Sequence, residues 1–131
     1  MPSTADIEPT PIAQGLADAG ELVGWMINTL MTADESAEGG DIRNIYKVGL
    51  NTSRLLMALG DVVCSWLLLR GAEVALRRLD EGASPQDQRF YEGKVAAAQF
   101  FAQHNLPKLT SERAILEATD LSVMDLDEAA F

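Results

Sequence analysis

One cysteine and one histidine in 131 residues remove two kinds of chemistry at the outset. A disulfide needs two thiols, and a zinc cage needs three or four Cys and His ligands. Histidine-based acid–base catalysis has a single residue to draw on. Positive charge is scarce too. Ten Lys and Arg face 20 Asp and Glu, and the net charge of −10 has the wrong sign for nucleic acid or an anionic membrane. The first ten residues, MPSTADIEPT, carry no base and so lack the basic n-region of a secretory signal. Neither G-x-G-x-x-G nor a Walker pattern occurs, and no G-x-S-x-G elbow presents a nucleophile. What is present is apolar: 47% hydrophobic residues against 23% charged. That is too apolar for a disordered chain and suits one domain able to bury about two-thirds of its unfolded surface.

Charge is distributed unevenly along the chain. Residues 1–40 carry seven acids and no base, residues 41–80 sum to +2, residues 81–118 to −1, and the last thirteen to −4. Acidic ends flank a near-neutral middle, where most of the packing is expected. Residues 1–10, with Pro2 and Pro9, read as a flexible tail or linker, and residues 11–131 as one domain.

The periodicity is helical throughout. Thr10 offers an N-cap hydroxyl with Pro11 at the first helical position. Ile12, Leu16, Ala19, Val23, Met26 and Leu30 then recur at steps of three and four, which predicts a first helix over 11–31 packing through its Leu16–Val23–Leu30 stripe. TADESAEGG is a loop, and Asp41 is the next cap. From Ile42 to Leu79 no Pro and no turn cluster intervenes, so a second helix of about 57 Å is expected. Ser84-Pro85-Gln86-Asp87 is a capping-box-like start for a third helix, which Pro107 must kink or divide. Apolar spacing resumes over Leu109–Ala118, and one more turn is expected from Ser122. No period-two run suggests a strand. The expected fold is all-α, a bundle of three to four helices. The short connection Glu81–Ser84 forces helices 2 and 3 into a long antiparallel hairpin.

A few residues invite a functional reading. Asp61 lies inside the apolar run LLMALGDVVCSWLLL, Leu55–Leu69, which is short for a membrane span and carries a charge at its middle. A buried core helix is therefore expected, and a reduced Cys64 within it fits the cytoplasm. A carboxylate there must be paired or neutralised. Positions whose numbers add to about 165 lie level in the hairpin, which sets Asp61 opposite His104 to within about one turn, with Asn105 as an alternative donor. The expected role is structural. Gly49, Gly60 and Gly71 stand eleven apart, nearly on one line of the helix, and imply close backbone packing. Trp66 and Trp25 sit on apolar stripes as core or interface residues. Glu35/Glu38 and Asp125/Asp127/Glu128 read as solvated charge, with weak cation binding the alternative. No catalytic, cofactor-binding or metal-binding residue emerges.

Three segments together carry a family resemblance. YKVGLNTSRLLMALGDVVCSWLLLRGAEVAL (46–76), FYEGKVAAAQFFAQHNLPKL (90–109) and DLSVMDLDEAAF (120–131) resemble, in that order, the acetyl-CoA dehydrogenase-like C-terminal domain of large bacterial acyl-CoA dehydrogenases. The resemblance spans about residues 15–131. It implies a parent enzyme that oxidises acyl-CoA to 2,3-enoyl-CoA, a glutamate removing the α proton and FAD accepting the β hydride. The flavin site and that glutamate belong to upstream domains, so no cofactor is expected in this chain and none of the family's catalytic residues maps onto it. The upstream dehydrogenase core is the implied partner, acyl-CoA is met only through the parent enzyme, and a homo-oligomer is left open. A free-standing acidic helical module that binds a protein partner is the alternative.

Overall fold

The computed structural model describes residues 9–131; the tail expected over 1–10 therefore lies outside the described residues except at its end. Among the described residues there are four α-helices and no strand: α1 (Pro9–Met31), α2 (Asn44–Asp80), α3 (Pro85–His104) and α4 (Lys108–Glu117). The turn expected from Ser122 forms over residues 122–125, closed by the Asp125 N–H donating to the Leu121 carbonyl at 3.0 Å, and a 3₁₀ turn, Glu128–Ala130, follows it.

Local chemistry explains the boundaries. Helix α1 begins two residues earlier than its cap signal suggested, so Thr10 lies inside the first turn. Both Pro9 and Pro11 are tolerated there because the first N–H groups of a helix have no acceptor to lose. Asp41 caps from a distance: its carboxylate accepts the Arg43 N–H at 2.9 Å, and its carbonyl accepts the Asn44 N–H at 2.9 Å. Helix α2 then runs unbroken for 37 residues and ends on Arg77 and Arg78, cations suited to a helix C-terminus. The reversal uses Gly82 at φ +89°, a conformation that favours glycine. Ser84 caps α3 as its sequence foretold, its Oγ accepting the Asp87 N–H at 3.2 Å. Pro107 divides α3 from α4.

Helix α2 is the spine. Ala72, Ala75 and Leu76 pack on Val95 and Ala98, so α3 runs back antiparallel along its C-terminal half. Beyond the Pro107 break, α4 continues the same course along the N-terminal half. Helix α1 also runs antiparallel to α2: Ile12 packs near Leu68 and Leu69, and Leu22 and Met26 near Ala58 and Leu55. It therefore lies parallel to α3 and α4. A second core cluster joins Ala19, Leu22 and Met26 to Ala58 of α2 and to Leu109 and Leu116 of α4. Leu22, Leu109 and Leu116 are wholly buried, and such side chains contribute about 1.5–3 kcal/mol each.

The face of α1 differs from the expected stripe. Leu16 is 62% exposed and Leu30 52%, while Gly15, Asp18, Ala19, Leu22 and Met26 face inward. The helix is rotated by about one residue, and close packing at its N-terminal half is the reason. A Cβ at Gly15 would lie 3.5 Å from the Leu106 side chain, so the buried Leu106 packs directly on this glycine.

Candidate functional site

The polar side chains of the fold collect into a seam that fastens α4. Asp61, half-way along α2, accepts a hydrogen bond from Asn105 Nδ2 at 3.0 Å, and the Lys108 ammonium lies 2.7 Å from its other oxygen. The second contact is a charge pairing rather than a well-directed hydrogen bond. The expected partner His104 is elsewhere. It is exposed at the end of α3 and stacks on Phe100 with ring centroids 4.6 Å apart. The inward line of α3 is Val95, Ala98 and Ala102, which turns His104 away and brings Asn105 round to Asp61.

Towards the start of α2, Arg54 pairs with Glu112, and Asn51 donates to Thr119 Oγ1 at 2.9 Å. On the other side of α4, Asp18 is buried and accepts the Thr110 hydroxyl at 2.6 Å, with the Arg113 guanidinium 3.5 Å away. The Arg113 pKa is raised, chiefly by its hydrogen bond to Glu117. Asp18 is the buried acid that the sequence did not single out. The signal was its place between Gly15 and Leu22, in register with Ala19 and Met26.

Two surfaces remain. Between α1 and α2 an apolar groove of about 280 Å³ is bordered by Leu16, Val62, Val63, Trp66, Leu69 and Leu106. Trp66, expected in a core or interface, stands 55% exposed at its edge. The outward side of α2 is the other surface. Gly49, Gly60 and Gly71 lie there, and a Cβ at any of them would meet nothing within 4 Å. The close backbone packing expected at these glycines is not made among the described residues. Helix α2 is also long and apolar enough to cross a membrane, yet Asp61 at its middle is paired to Asn105 and Lys108.

These residues do not fit a flavin dinucleotide. The groove is lined by apolar groups with no cation for a pyrophosphate. The cleft beside it holds Arg54 and Lys108, each already engaged by a carboxylate. Two acids of the C-terminal segment already have partners: Asp125 pairs with Arg43 at the start of α2, and Asp127 accepts the Ala129 N–H. Among the described residues no group of three or more His, Cys, Asp or Glu could hold a metal ion.

Residues 4–127 match the family described as acetyl-CoA dehydrogenase C-terminal like, and the chain belongs to that family. Among individual relatives, it is 45% identical over 120 residues to the broad-specificity linear acyl-CoA dehydrogenase FadE5 of Mycobacterium tuberculosis, a match covering 92% of this chain and 19% of that protein. It is 33% identical over 89 residues to a butyryl-CoA dehydrogenase of Syntrophomonas wolfei, covering 67% of this chain and 15% of the relative. The chain thus spans less than a fifth of the length of either.

Proposed function

We propose that this chain acts as the C-terminal helical domain of an FAD-dependent fatty acyl-CoA dehydrogenase. On this reading it packs on the flavoprotein part and oxidises nothing by itself. The single observation that carries it is the match over 92% of the chain to one-fifth of a linear acyl-CoA dehydrogenase. Flavin and the base for the α proton would come from the remainder of such an enzyme. Two finer roles, a share in lining the acyl pocket and a share in a dimer contact, both call for apolar surface turned towards another domain. The groove at Leu16 and Trp66 supplies such surface. Asp61 would keep a structural part, and a cytoplasmic place in bacterial fatty-acid β-oxidation goes with the reading.

The test replaces the matched region of the Mycobacterium relative with this chain and assays acyl-CoA-dependent dye reduction. Activity well above that of the same enzyme with the region deleted is expected. Activity no better than the deletion would refute the assignment, as would a stoichiometric flavin bound to the isolated chain.

A further inference from the structure

We infer that the outward face of α2 is the surface on which a helix of the dehydrogenase part lies lengthwise; this rests on the reading just proposed. The face is read from α2 itself. Ile45, Leu56, Val63, Leu67 and Val74 are all half exposed or more, and the three glycines lie between them on the same side. With the exposed Thr52 between Gly49 and Leu56 included, the steps along this line are fours and threes that repeat every eleven residues. Eleven residues make 3.67 per turn, close to the 3.6 of a straight helix, so the line scarcely winds round α2. A partner helix that follows it runs nearly along α2 instead of crossing steeply. From Ile45 to Leu67, about 33 Å, the line holds no charged residue. Apolar surface of that extent on a soluble fold marks an interaction site.

Three observations select the occupant. The family description places this domain at a C-terminus, and 81% of the Mycobacterium relative lies outside the match, so a large covalent neighbour exists in such enzymes. Helix α1 begins beside this surface: Ile12 packs near Leu68 and Leu69, and Ile12 and Leu16 border the groove that contains Val63. A chain leading into α1 is therefore delivered to the rim of the face. Net charge decides against two rivals. At −10 each, two copies repel one another, and so do one copy and an anionic bilayer.

The native thiol is the reporter. Cys64 is exposed and follows Val63 directly. Its alkylation rate is measured by mass spectrometry in the free chain and in the full-length chimera of the preceding test. The expected result is at least a tenfold slower rate in the active chimera, restored towards the free rate by Val63→Asp. In the free chain the same substitution should leave the melting temperature unchanged, since Val63 is exposed. Equal rates in the free chain and an active chimera would overturn this inference while leaving the domain assignment standing. An inactive chimera that loses flavin would remove both. Slow alkylation of the free chain accompanied by a dimer in light scattering, or produced only by adding phosphatidylcholine vesicles, would give the face to a second copy or to a bilayer and overturn the proposal.

Discussion

Asp61 shows how one side chain fixes the meeting of two helices. Its removal strands Asn105 and leaves Lys108 without a counter-charge. Asp61→Ala should cost about 1–3 kcal/mol, and Asp61→Asn less, because it keeps an acceptor for Asn105. His104→Ala should stay within about 0.5 kcal/mol, as befits an exposed ring. Chemical denaturation of the three variants checks the order, and a His104→Ala loss equal to that of Asp61→Ala would contradict the pairing. Leu22 and Leu16 make a second comparison on α1. Leu22→Ala opens a cavity in a wholly buried position and should cost about 2–5 kcal/mol. Leu16→Ala should cost far less in this chain, because Leu16 is mostly exposed. The sequence made Asp61 conspicuous because a carboxylate interrupts an apolar run. It left Asp18 hidden, because its neighbours Gly15, Ala17, Ala19 and Gly20 are small and Glu21 follows closely, so no run of large apolar side chains sets it off. The donor to Asp61 was open between two neighbours, since a rotation of 100° separates residue 104 from 105 and register alone does not fix rotation.

At the scale of elements, the ends of the helices were more legible than their faces. Ser84, Pro85 and Pro107 act through local rules, and the structure follows each of them. The faces of α2 were not legible for a physical reason. Apolar residues surround much of this helix, so periodicity groups residues into sides without saying which side the chain itself covers. Up to Ala72 the covered side holds Asn51, Ala58 and Ser65, small or polar residues that admit close neighbours, while Leu56, Leu59, Val63 and Leu67 point outward. Only near the turn do the larger Leu76 and Leu79 face inward. Acid should act first on the turns between helices. The pKa values of Asp34, Asp41 and Asp120 are lowered from 3.8, chiefly by the Ser36 N–H, the Arg43 side chain and the Ser122 hydroxyl respectively. A carboxyl whose folded value is depressed lends stability above its ordinary value and loses it as pH falls through the folded one. Their contribution is thus complete at neutrality and drains away below 3.8. Backbone NMR during an acid titration should show the amides of Ser36, Arg43 and Ser122 shifting in that range while the helices remain folded. Simultaneous loss of all signals would show that the turns do not yield first.

At the scale of the whole molecule, the contact between α1 and α4 joins residues remote in the chain: Asp18 and Thr110 are 92 positions apart, and Asp18 and Arg113 are 95. The contacts of the α2–α3 hairpin nearest its turn are local by comparison. Closing a long loop costs entropy before its contacts return anything, so order of assembly is written into this arrangement. The hairpin should form early and α1 should dock late, drawing α4 into place as it does so. In stopped-flow refolding, Ala98→Gly, within the hairpin core, should chiefly slow folding. Leu22→Ala, at the junction of α1 with α4, should chiefly speed unfolding. The reverse pattern would mean that the distant helices meet first. With the expected pattern, the seam at Asp18 is a latch that closes last and releases first, and the lifetime of the folded molecule is set at the place where its two ends meet.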